Sequence, residues 1–72
     1  MRTSRIVAKG RAHDEWQVFA AWNRRHLAWW IWEGFPEGDP SSWQRPQSIN
    51  RRIAKTPAEA QRLVNLANRV TV

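Results

Sequence analysis

One stretch, WQVFAAWNRRHLAWWIW at residues 16–32, constrains this chain more than any other feature. It holds Trp16, Trp22, Trp29, Trp30 and Trp32, five of the six tryptophans in 72 residues. Each aromatic side chain brings roughly 150–250 Å² of surface to bury. A chain this short hides only about 60 % of the surface that it exposes when unfolded. The interior is therefore too small for every ring, and the surplus is expected to form a contact surface.

Two local structures compete for this stretch. Trp, Val, Phe and Ile favour strands, and a four-residue polar connection is an ordinary hairpin length. On that reading strand 16–22, a turn at 23–26 and strand 27–33 form a hairpin that closes at Gly34. The rival is one helix over 14–33, with Asp14 near its start and Gly34 just past its end. Helical spacing then groups Trp16, Phe19, Ala20, Leu27, Trp30 and Ile31 on one face. Val18, Trp22, Trp29 and Trp32 fall on the other, beside Arg25. Such a helix exposes three large indoles, so the hairpin is the preferred expectation.

The flanking segments are simpler. Thr3 to Gly10 reads as a short strand with Arg5, Val7 and Lys9 on one side and Ile6 and Ala8 on the other. Residues 34–48 hold three prolines and two glycines, which forbid regular structure. Phe35 and Trp43 are expected to anchor this loop over the sheet, Trp43 as a packing plug. Residues 49–55 offer a last short strand with Ile49 and Ile53 as its apolar members. Thr56-Pro57-Ala58-Glu59 is a capping box with proline at the first helical position. It predicts a helix over 57–69 with an apolar stripe of Ala60, Leu63, Val64 and Ala67, edged by Leu66 and Val70. Gln61, Arg62, Asn65, Asn68 and Arg69 form its wet face.

These signals predict a single α+β domain over residues 1–72, a small antiparallel sheet of three to four strands packed against one C-terminal helix. The alternative is an all-α hairpin of helices 14–33 and 57–69.

Charge narrows the function. The formal balance is +6, delivered by ten arginines against two lysines. The planar guanidinium matches phosphate and carboxylate oxygens and stacks on aromatic faces. Such a balance suits nucleic acid or an acidic protein surface. The chain has no cysteine, which removes disulfides and thiolate metal sites and fits a reducing cytoplasm. The N-terminus lacks the apolar core of a signal peptide, and no run approaches the ~20 apolar residues of a membrane span. A cytoplasmic protein without a membrane partner is expected. Only the helical reading of 14–33 would offer a lipid surface an amphipathic face.

Chemistry finds little purchase. His13, Asp14 and Glu15 are adjacent, but neighbours on a strand face opposite ways. No serine sits in a nucleophile context, and His13 and His26 lack the spacing of metal ligands. The expectation is a non-catalytic protein with no metal and no cofactor. Arg24, Arg25, Arg51 and Arg52 would hold phosphates, and Trp22, Trp29 and Trp32 would stack unpaired bases. The rival partner is a larger protein complex, because Trp and Arg dominate interface hot spots; a homodimer is a further use of the same surface. In size and make-up alone, the chain resembles small accessory proteins of phages and mobile elements, inhibitors of CRISPR–Cas complexes among them.

Overall fold

A computed structural model describes residues 5–47 and 51–69 of the chain. Strands β1 (Arg5–Ile6), β2 (Gln17–Asn23), β3 (Ala28–Gly34) and β4 (Ile53–Ala54) form one antiparallel sheet in that order, followed by helix α1 (Pro57–Arg69). This is the α+β architecture expected, and the all-α alternative is not formed: residues 16–32 make a hairpin, not a helix.

The hairpin pairs Gln17 with Gly34 at one end and Asn23 with Ala28 at the other. Its connection is 24–27, one residue later than the sequence suggested. Asn23 belongs to the strand, while its Oδ1 accepts the His26 backbone N–H at 3.0 Å and holds the turn from within. Leu27 closes the turn with φ 51°, a left-handed conformation unusual for leucine. Trp16 lies just before β2 rather than in it.

The strand period of two then sorts the side chains. Val18, Ala20 and Trp22 share one face with Glu33, Ile31 and Trp29; Phe19 and Ala21 share the other with Trp32 and Trp30. Helix α1 covers the first face. Ala60, Leu63, Val64 and Ala67 meet Ala8, Val18, Ala20, Ile31 and Ala54, with Ile6 and Trp29 packed at the margin. A fully buried Val, Leu or Ile contributes roughly 1.5–3 kcal/mol, so this aliphatic layer is the main source of stability. At the helix start, Thr56 Oγ1 accepts the Glu59 N–H at 3.1 Å, and Glu59 Oε1 accepts the Lys55 N–H at 3.0 Å. Glu59 thus reaches one residue further back than a capping box requires.

Two side-chain assignments are corrected. Asn68 is buried, although helical spacing placed it on the wet face with Gln61 and Asn65. The reason is the brevity of β1, which leaves backbone groups beside it without a ladder. Gln61 Nε2 donates to Val7 O at 2.8 Å, Asn65 Oδ1 accepts from Lys9 N at 3.1 Å, and Asn68 Nδ2 donates to Val18 O at 2.8 Å. In β4, Ala54 and not Ile53 faces the helix; Ile53 pairs beside Trp30 and is 43 % exposed. Ile49 and Val70, along with Thr3 and Ser4, lie outside the described residues.

The proline-rich loop is tied down. Asp39 caps a 3-10 turn (Pro40–Ser42) by accepting the Ser41 N–H at 3.0 Å, a bond that holds its carboxyl below the ordinary range. Glu33 and Gln44 exchange backbone hydrogen bonds of 2.7 and 3.0 Å. Trp43 is thereby laid on the sheet face away from α1, 4.7 Å from the fully buried Phe19 ring, with its Nε1 donating to Phe35 O at 2.9 Å. A Cβ on Gly34 would stand 3.1 Å from Trp43 Cδ1, so glycine permits this approach. Phe35 does not anchor the loop on the sheet. It is 44 % exposed and packs edge-on against Trp16, ring centres 5.4 Å apart.

Candidate functional site

The sheet face opposite the helix carries a row of rings. Alternation along β3 puts Trp30 and Trp32 side by side, centroids 6.1 Å apart with planes at 29°. Trp43 continues the row 6.0 Å from Trp32, and His26 at the hairpin tip begins it 4.8 Å from Trp30. Two guanidiniums lie over these rings. Arg45 sits 4.5 Å from the Trp30 centre and 5.0 Å from that of Trp32, and Arg5 sits 5.1 Å from that of Trp43. The three indoles are half-buried. A cation–π contact is worth about 0.5–1 kcal/mol at an exposed site and about 2 kcal/mol when desolvated, and the partly buried Arg45 lies between these limits.

Beside this row, Arg45, Arg51, Arg52 and Ile53 line an open basin of about 600 Å³. Arg45 Nη2 donates to Arg52 O at 2.9 Å, which fixes its side chain at the rim. Burial, and then the charge of Arg52, push the Arg45 guanidinium below its ordinary pKa. Arg45 nonetheless stays cationic. Arg51 is ion-paired with Glu59 at 3.1 Å, whereas among the described residues neither Arg45 nor Arg52 has a carboxylate partner. Two donors here, Trp30 Nε1 and Arg45 Nε, are shut from solvent with no acceptor among the described residues.

The residues singled out from the sequence are divided by the fold. Trp22 and Trp29 meet edge-to-face, 5.4 Å apart, on the helix side of the sheet. Trp32 stands on the opposite side, so the three do not form one platform. They share a face only at helical spacing, which the hairpin does not have. Arg24 and Arg25 are exposed on the hairpin tip; Arg51 and Arg52 lead into β4 along the basin. Trp30, Arg45, Arg5 and His26 complete the row and were missed. Strand parity alone would have paired Trp30 with Trp32. Nothing in the sequence signals that Arg45, in a loop, returns to lie on them.

Charge is polarised along the hairpin. Five of the six acidic residues, Asp14, Glu15, Glu33, Glu37 and Asp39, cluster in sequence about the end where Gln17 pairs with Gly34. There Arg11 pairs with Glu15 at 3.4 Å and His13 with Glu37 at 3.5 Å. Arg24 and Arg25 occupy the other end.

The fold and this site describe a small α+β protein with one sheet face packed by a helix and the other carrying rings and arginines. No family model matches the chain, and neither curated proteins nor solved structures give a match. Among the described residues, no three His, Cys, Asp or Glu side chains gather to hold a metal ion, and no helix is long and apolar enough to cross a membrane.

Proposed function

We propose that this chain is a non-catalytic binding protein for single-stranded nucleic acid, using the sheet face that α1 leaves uncovered. The observation that carries this reading is the row Trp30, Trp32 and Trp43, spaced 6.1 and 6.0 Å apart with arginines laid over it. Bases in a duplex stack on one another at 3.4 Å, which covers their faces, so a platform of this spacing suits unpaired, extended bases. Guanidinium planes such as that of Arg45 are themselves stacking surfaces for bases. Arg24 and Arg25 would add backbone contacts at the tip.

The test is fluorescence anisotropy with labelled single strands and duplexes over a range of salt. Single strands should bind more tightly than duplex, with affinity falling by a log–log slope of about 0.7 per phosphate neutralised. No binding at low salt removes the reading.

A second reading has its own support at the hairpin tip. Leu27, 69 % exposed and conformationally strained, lies in the turn with Arg24 and Arg25, and Trp22, 37 % exposed, lies near the tip end of β2. This is hot-spot composition, and it suits inhibition of a larger protein complex. That reading requires a complex that survives nuclease treatment and is lost on Leu27→Asp.

A further inference from the structure

We propose that the basin formed by Arg45, Arg51 and Arg52 is a phosphate-binding site, occupied by one phosphate of the strand whose base lies on Trp30. The proposal rests on the single-strand reading for the identity of its ligand, but the site stands on its own geometry. Three arginines converge around Ile53 on an open volume of about 600 Å³, and among the described residues Arg51 alone of the three has a carboxylate partner. Arg45 reaches the Arg52 backbone at 2.9 Å, and burial, then the charge of Arg52, lower its pKa, a cost that an anion held between the two guanidiniums relieves. Among the described residues, two N–H donors shut from solvent have no acceptor: Arg45 Nε, on a side chain that lines the basin, and Trp30 Nε1, on the ring beneath that guanidinium. The guanidiniums of Arg45 and Arg52, with no carboxylate partner among the described residues, call for an anion rich in acceptor oxygens, and phosphate presents several that match the arginine fork.

The basin adjoins the ring row because Arg45 belongs to both, lying over Trp30 and Trp32 while lining the cavity. A phosphate drawn in by Arg45 and Arg52 therefore sits one side chain away from the indoles. That is the relation a nucleotide needs between its phosphate and its base. The phosphate is either a strand's terminal group, with greater charge, or an internal phosphodiester. Both present the same oxygens.

Pyrophosphate is the first probe, titrated into the full chain while the indole and arginine N–H signals are followed by NMR. The Trp30 indole and Arg45 Nε signals should shift saturably, beyond any shift in acetate of matched ionic strength. Arg52→Gln, at an exposed position, should weaken this by about tenfold without altering the remaining spectrum. Equal shifts in acetate, or an unchanged response in Arg52→Gln, overturn the site. Oligonucleotides with and without a 5′-phosphate are the second probe. A gain from the terminal phosphate that Arg52→Gln abolishes assigns the basin to strand ends; equal loss from both assigns it to the internal backbone. Oligonucleotide binding that ignores Arg52→Gln overturns the proposal and leaves the single-strand reading standing. Pyrophosphate binding without oligonucleotide binding does the reverse.

Discussion

The two faces of one hairpin are built from different chemistry. Toward the helix, Val18, Ala20, Ile31 and Ala54 are small or aliphatic, and α1 can approach closely enough to exclude water. Toward the loop, Phe19, Trp30 and Trp32 are large, flat rings topped by Trp43, Arg45 and Arg5. A helix packs best where the surface beneath it is low; a phenyl ring and two indoles standing on the sheet instead demand flat cover, which guanidiniums and a loop supply. The difference separates the faces: aliphatic burial holds the sheet on one side, and the ring face keeps a polar cover of guanidiniums and loop on the other.

That division can be broken most directly at Phe19, the one fully buried ring on the loop side. Phe19→Ala should cost about 3–5 kcal/mol in denaturant unfolding. A cost below ~1 kcal/mol would mean that the loop and Trp43 form no core of their own. Asn68→Ala should cost about 1–3 kcal/mol, because it leaves the Val18 peptide buried without its amide partner. A neutral result would put water in that place and remove the amide from the list of helix anchors.

The next experiments sharpen the contrast. Trp32→Ala should lower single-strand affinity by about 1–3 kcal/mol while Trp22→Ala leaves it nearly unchanged, as read by anisotropy on variants whose circular dichroism is native. Equal losses would erase the distinction between the faces. Leu27→Asn should raise stability by up to about 1 kcal/mol, since asparagine tolerates the left-handed turn better. A loss would show that the exposed leucine packs in a way its 69 % exposure conceals. The smallest stability effect belongs to Arg24→Ala with Arg25→Ala, within about 0.5 kcal/mol. Its signature is a shallower salt dependence, by about 0.7 for each phosphate contact removed.

Local signals were legible where one residue type answers one local need. Thr56, Pro57 and Glu59 specify a helix start, and Ala60, Leu63, Val64 and Ala67 its buried stripe, without reference to the rest of the chain. Asn68 was illegible for the opposite reason. An amide on a helix is polar by composition, and only the early end of β1, seen across the fold, gives it a buried peptide to bind. Trp22, Trp29 and Trp32 share a face only at helical spacing, whereas the strand period sends Trp32 to the other side.

Composition and order along the chain determined that there are more indoles than a 72-residue interior can hold, and that arginine is the cation beside them. They favoured the hairpin over a helix, through strand-forming residues on either side of one polar run. Tertiary structure alone decided which rings meet beyond the Trp30–Trp32 pair that strand parity sets. The turn at 24–27 sets Trp22 against Trp29, and a loop returning through the Glu33–Gln44 bridge brings Trp43 and Arg45 onto Trp32. Those meetings join residues distant in sequence, and no local preference encodes them.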